Sequence, residues 1–227
     1  MQKIYVEVGA NDFELVQEDI DLEEEKGVLV SFEPLFDKYI GLLRRCDEET
    51  ARQCAACQHR RGVVIPFAVG FEGVKEFHIT RDDSCSSLLE PNKRFASNST
   101  LADLDWDFAA CTDVAETVAV PGVTLETVIG KWLEGRTVDY LKVDAQGYDL
   151  EILRSAGRFR HKIKLVDMEA PCDAAGSASR LYKAASTCRG TVEEMVRLGF
   201  QPRFDPSICT TCEDYELMLQ FDRYEKL

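Results

Sequence analysis

Three acidic residues close apolar runs in this chain, and each stands where chemistry can be done. Glu33 ends VLVSFE (28–33), Asp144 ends YLKVD (140–144) and Glu169 ends KLVDME (164–169). A carboxylate at the end of a second strand can accept both hydroxyls of a ribose. Carboxylates at the ends of two neighbouring strands can take up a proton. They can equally share a divalent metal through hard oxygen ligands. Asp144 and Glu169 are therefore both candidate general bases. Orientation of a cofactor is an equal reading of Asp144, and helix capping or ion pairing is the structural reading of Glu169. No metal-ligand set is assigned. Of the three histidines, His78 lies beside a polar stretch and is the candidate catalytic histidine. His59 and His161 sit among basic residues and read as surface.

The first apolar run, KIYVEV (3–8), stops at Gly9-Ala10-Asn11-Asp12. A glycine there allows a tight turn and a close approach of backbone to a ligand. With Glu33 one strand later, and Ala68-Val69-Gly70 after a third run, the parts suit a nucleoside cofactor. A dinucleotide site needs three glycines and a helix start for its pyrophosphate. Here Asn11 and Glu14 occupy the second and third glycine positions. S-adenosylmethionine carries no phosphate and has a positive sulfonium, so Glu7, Asp12 and Glu14 suit it better.

These residues need strand ends to carry them. Strands are expected at 3–8, 28–33, 63–69, 140–144 and 164–169, with an edge strand at 75–80. Tyr39, Leu42 and Leu43 share a helical face. Val118–Val120 lead into a helix beginning near Thr124. Asp149 reads as an N-cap for the helix carrying Leu150 and Leu153. A later helix turns Val192, Met195 and Val196 inward and stops at Gly199. Runs 200–204 and 215–221 suggest an antiparallel pair. Strands alternating with helices give an α/β fold: a Rossmann-like, doubly wound, mostly parallel seven-stranded sheet with an antiparallel C-terminal strand. The chain reads as one domain over 1–227, with acceptor-side insertions at 82–115 and 170–190.

VEVGAN (6–11), FEP (32–34), FAVG (67–70), SSL (86–88), TLE (124–126) and DYLKVDAQGYDLEIL (139–153) together resemble the FkbM-type methyltransferases. The likeness covers most of residues 4–170. It implies a class I S-adenosylmethionine-dependent fold and O-methyl transfer to a hydroxyl of a sugar, macrolide or other natural product. It places Gly9 and Asn11 at the amino-acid end of the cofactor, with Glu7 supporting the turn. It places Glu33 at the ribose, Ala68 and Val69 beside the adenine, and Ser87 among the cofactor-binding residues. Asp144 falls beside the methyl group. Glu7 stands where the family usually has Asp, and Phe13 where it usually has a second glycine.

The net charge is −14, from 41 acidic and 27 basic residues. Such a surface repels phosphate backbones, so nucleic acid is not an expected partner. The expected partner is a small-molecule or glycan acceptor. No apolar run reaches the roughly 20 residues of a membrane helix. The first strand starts too early for a signal peptide, which also fits a domain trimmed of its leader. Nine cysteines leave two compartments open. The cytoplasm, with thiols buried as small apolar groups, is preferred over a lumenal or secreted setting. Cys54-x-x-Cys57 and Cys209-x-x-Cys212 invite a zinc reading, but the expected topology separates the pairs. Local disulfides and buried thiols are the alternatives. The sequence carries no statement of oligomeric state.

Overall fold

The computed structural model describes residues 2–11, 27–44, 62–94, 107–173, 180–211 and 216–223. Among them, seven strands form one sheet. They are β1 (Ile4–Val8), β2 (Val28–Phe32), β3 (Gly62–Ile65), β7 (Val138–Val143), β8 (Ile163–Pro171), β9 (Phe200–Pro202) and β10 (Glu216–Arg223). Their order is β3-β2-β1-β7-β8-β10-β9. The first five run parallel, and β10 lies antiparallel between β8 and β9. The expected antiparallel C-terminal pair is therefore present.

Alternation along the central strands divides their side chains between two faces. Val6, Val8, Leu141, Val143, Val166 and Met168 face the main core. Tyr5, Leu29 and Tyr140 face the other side with Leu165. The helices that cover the sheet follow the same logic. Helix α1 (Phe36–Arg44) buries Leu42 against Ala10 and Val64. Four more helices are α2 (Phe108–Thr112), α3 (Leu125–Thr127), α4 (Asp149–Arg154) and α5 (Cys188–Arg197). A single turn, α6 (Ile208–Thr211), lies between β9 and β10. Helix α4 presses Leu150, Ile152 and Leu153 into the main core, and α5 presses in Val192 and Met195. Burying each such side chain is worth about 1.5–3 kcal/mol.

Several expected elements differ in detail. The run 63–69 is two strands. Pro66 has no N–H for a ladder, so the chain leaves the sheet after Ile65. It resumes as β4 (Ala68–Val69) in a second sheet of order β4-β6-β5. In that sheet β5 (Gly73–Thr80) is an edge strand, as expected, and β6 (Val114–Val123) is a ten-residue strand where only 118–120 stood out. Much of β6 is solvent-facing, and Pro121-Gly122 near its end mimics a breaker. The helical start near Thr124 holds: its hydroxyl accepts the Thr127 N–H at 3.2 Å. Asp149 is not an N-cap. It lies inside α4, and its carboxylate reaches back to the N–H groups of Ala145 and Gly147. Val196 is 46% exposed. The buried stripe of α5 is Cys188, Thr191, Val192 and Met195, which leaves position 196 off the face.

Candidate active site

The parallel strands place their carboxyl ends along one rim, where open α/β sheets bind ligands. At its centre β1 and β7 come unusually close. Gly9 has φ +88°, and a Cβ there would lie 1.8 Å from the Asp144 carbonyl oxygen. Only glycine fits. The turn is stitched in place by backbone. Gly9 and Ala10 donate to Phe32 O at 3.0 and 3.2 Å, and Asp144 donates to Val8 O at 3.0 Å. Asn11 follows with φ 45°, a conformation Asn tolerates better than most residues. Glu33, 4% exposed, fixes both turns: its two oxygens accept N–H groups of Asn11 (2.9 Å) and Leu35 (2.8 Å). Asp12, Phe13 and Glu14 lie outside the described residues.

Glu7 sits within β1 and is 1% exposed. Its carboxylate accepts the Ser31 hydroxyl at 3.3 Å. Its strand register places it beside Lys142, and Lys142 beside Asp167. Asp167 in turn accepts from Tyr140 OH (2.9 Å) and Gln220 (3.1 Å). A polar row thus crosses five strands below the rim. It places a cation between two acids where an unpaired charge would be costly.

On the same side chains' face, two residues higher, stand Asp144 and Glu169. They follow the paired Val143 and Met168 of β7 and β8, so their carboxyls stand side by side and Glu169 bears directly on Asp144. Two neighbouring carboxyls disfavour ionising together. Burial pushes the Asp144 carboxyl above its ordinary value. The bonds from Gln146 and Glu169 and the nearby Lys142 charge pull the other way and only partly offset it. Gln146, held at φ 52°, donates to Asp144 Oδ1 at 3.1 Å. The Tyr182 hydroxyl lies 2.9 Å from Gln146 Oε1 and 2.7 Å from the Cys85 carbonyl. Ser87 is fully buried and donates to the Gln146 carbonyl at 2.8 Å.

Ala68 and Val69 are buried in β4 and pack into core clusters. Gly70 follows, and the Tyr148 ring fills the space its side chain would need. Lys75 Nζ reaches the Tyr148 hydroxyl at 3.1 Å, tying the second sheet to α4. His78 stands on edge strand β5. Its backbone pairs with Ser87, and its ring Nδ1 lies 3.4 Å from Thr117 Oγ1. No hydrogen bond joins its ring to Asp144 or Glu169. His161 is exposed and its ring bonds Arg158 O. His59 is outside the described residues.

The two expected insertions meet each other. The first is the connection between antiparallel β5 and β6. Asn92 N donates to Leu181 O, Lys183 N to Glu90 O, and Asn92 Nδ2 to Arg180 O. Cys85, Phe108, Cys111, Leu181, Tyr182 and Ala185 form a separate small core. Gln146 and Tyr182, which link this core to Asp144, were not singled out from sequence. Gln146 lies inside the run DYLKVDAQGYDLEIL (139–153). Tyr182 lies in a stretch without periodicity, so no local signal marked it.

Cys85 is bonded to Cys111 and Cys188 to Cys209. Cys172 is also disulfide-bonded, so every cysteine among the described residues is in a disulfide. Cys209 is thereby removed from any zinc set, and Cys54-x-x-Cys57 lies outside the described residues. Asp82, Cys85 and Cys111 cluster with metal-like spacing, but the two sulfurs are bonded to each other. Among the described residues no helix is long and apolar enough to cross a membrane.

Residues 7–175 match the Methyltransferase FkbM domain family. Among solved structures, the chain is similar to the methyltransferase FkbM from Methylobacillus flagellatus: 13% identity, TM-score 0.49, covering 97% of this chain and 43% of that one. It is also similar to a 16S rRNA (adenine(1408)-N(1))-methyltransferase from Catenulisporales acidiphilia. There the identity is 12% and the TM-score 0.43, over 98% of this chain and 88% of that one. The chain thus spans less than half the length of the first of these proteins. Among curated proteins, none matches it in sequence.

Proposed function

The chain belongs to the FkbM family of methyltransferases, and from that premise we propose that it is an S-adenosylmethionine-dependent O-methyltransferase acting on a hydroxyl of a small metabolite, sugar or natural product. The observation that carries this reading is the side-by-side placement of Asp144 and Glu169 just past the Val143–Met168 register. Two neighbouring carboxyls on adjacent strands can take up a proton from an acceptor hydroxyl.

The donor set suits this cofactor. Gly9 turns the backbone sharply beside Asp144. Glu33 holds the Asn11 and Leu35 N–H groups at the rim, and a carboxylate oxygen can accept more than one donor, which suits ribose hydroxyls. Glu33, Asp144 and Glu169 make this rim acidic, which suits a sulfonium and repels a pyrophosphate. The cofactor, when bound, supplies an electrophilic methyl group. Asp144, held by Gln146, orients the acceptor hydroxyl toward that position and draws off its proton. Glu169 shares the proton and spreads the charge. Effective transfer needs acceptor and methyl about 3 Å apart, which is a matter of positioning. His78 lacks a bond to this pair and is the weaker candidate for base.

The disulfides support an oxidising compartment over the cytoplasm as the place of work. Calorimetry with S-adenosylmethionine and with NAD tests the cofactor, and S-adenosylhomocysteine release over a panel of hydroxylated acceptors tests turnover. We expect binding of S-adenosylmethionine alone, and Asp144→Ala to lower turnover by a factor of about 10² to 10⁴. Near-normal turnover in that variant would remove Asp144 from the chemistry. Cofactor binding without release of product on any acceptor would favour a binding domain over an enzyme.

A further inference from the structure

Past the end of β8 lies a cavity of about 440 Å³, lined by Asp173, Arg180, Thr187, Arg189, Glu193 and Thr210 among others. That size suits a small-molecule ligand. The chain joins its lining to the carboxylate pair at two places. Pro171 and Cys172 of its wall follow Glu169 along the same chain, at about 3.3 Å per residue. Arg180 stands two residues before Tyr182, whose hydroxyl reaches the Gln146 that holds Asp144.

The polar groups of this cavity are only partly used. Arg180 is half-buried and its main chain is fixed by Asn92. Its guanidinium makes one hydrogen bond, from Nη1 to Ala185 O at 2.6 Å. A guanidinium carries five donors. Among the described residues no carboxylate pairs with Arg180, although the chain carries a net −14. Across the cavity Asp173 Oδ2 accepts the Arg189 N–H at 3.1 Å, while Oδ1 is buried with no hydrogen-bond partner. The walls are cross-linked. Cys188 is bonded to Cys209, Cys172 is in a disulfide, and Asp173 N donates to Cys209 O. The donors and acceptors are thus held apart at fixed places.

We propose that this cavity is the acceptor subsite, and that it takes a hydroxylated acceptor bearing an anionic group. Arg180 holds the anion, a carboxylate or a phosphate, as a forked donor. Asp173 Oδ1 receives a hydroxyl of the same molecule. A further hydroxyl of that molecule is the one methylated. This assignment rests on the methyltransferase reading, and it names the substrate class which that reading leaves open.

The protein carrying S-adenosylhomocysteine is titrated with D-glucuronate, D-glucose 6-phosphate and D-glucose. We expect at least one anion to bind tenfold or more tighter than glucose, and Arg180→Gln to erase the difference while S-adenosylhomocysteine affinity stays unchanged. Preference for glucuronate assigns the anion as carboxylate, and preference for the sugar phosphate assigns it as phosphate. Protection of wild-type Arg180 from phenylglyoxal by the same anion, read by peptide mass, gives the result without a variant. Equal affinity for glucose, no binding of either anion, or a preference that survives Arg180→Gln overturns the subsite. Failure of S-adenosylhomocysteine to bind strikes the methyltransferase reading instead, and leaves Arg180 protection to decide the cavity on its own.

Discussion

The rim has two halves built by different means. The half formed by β1, β2 and the start of the turn after β7 is held by backbone. Gly9, Ala10 and Asp144 bond neighbouring strand ends directly, and Glu33 fastens two turns with one carboxylate. The other half is formed by the chain after β5 and the chain after β8. It has a small core of its own and is closed by disulfides. The first half depends on the regular sheet, so its geometry is shared with the fold. The second is an addition whose shape can vary without disturbing the sheet. On the proposed reading, donor recognition falls to the first and acceptor choice to the second.

The largest effect that would break this contrast is at Gly9. Gly9→Ala puts a Cβ 1.8 Å from the Asp144 carbonyl and demands a left-handed backbone from a residue that avoids it. The strands must part. We expect a loss of about 3 kcal/mol or more in urea unfolding, with S-adenosylmethionine binding abolished in calorimetry. A stable, binding-competent Gly9→Ala protein would mean the close approach of β1 and β7 is not needed.

Next comes the paired change Cys85→Ser with Cys111→Ser. Removing this disulfide should cost about 2–4 kcal/mol. Hydrogen exchange should locate the loss in residues 82–94 and 180–187, with β1 and β7 as protected as before. Cofactor affinity should stay within about threefold, since each half-turn around Gly9 is held without sulfur. Uniform loss of protection across both halves would show that they form one cooperative unit.

The same contrast explains what could be read from sequence. Gly9, Glu33 and Asp144 were legible because strand ends announce themselves by an apolar run and a stop; Glu169, read as a strand end, lies two residues inside β8. The rim then follows from topology. Strand β6 was nearly invisible because half its residues are wet and Pro121-Gly122 stand near its end. The second half resisted for another reason. Cysteine connectivity cannot be deduced from spacing, and the contacts of Tyr182 with Cys85 and Gln146 are set by long-range packing. Asp149 carried a cap signal, yet its carboxylate serves the turn before the helix instead.

A smaller effect concerns protons. Burial raises the Asp144 carboxyl above its ordinary value, so between its unfolded and folded titrations the native state binds more protons than the unfolded one. Stability should therefore fall as pH rises through that window and flatten above it. The slope cannot exceed about 1.4 kcal/mol per pH unit for one proton. Asp144→Asn should remove this slope from urea unfolding measured at several pH values, and should be at least as stable as the wild type at neutral pH. An unchanged slope would place the shared proton on another group.

Tyr182→Phe should have the smallest effect and the most pointed one. The ring stays in the small core, so packing is kept. Only the hydroxyl is lost, and with it the contact to the Cys85 carbonyl and to Gln146. One buried hydrogen bond is worth about 1 kcal/mol. Gln146 would keep its bond to Asp144 but lose the support on its other side. Since Gln146 is fixed from the acceptor half and holds a carboxylate of the strand rim, this variant tests the seam between the two. Turnover should drop severalfold while S-adenosylmethionine affinity stays unchanged. A change in cofactor affinity of the same size as the change in turnover would mean that the seam lies elsewhere, and that Tyr182 belongs to both halves.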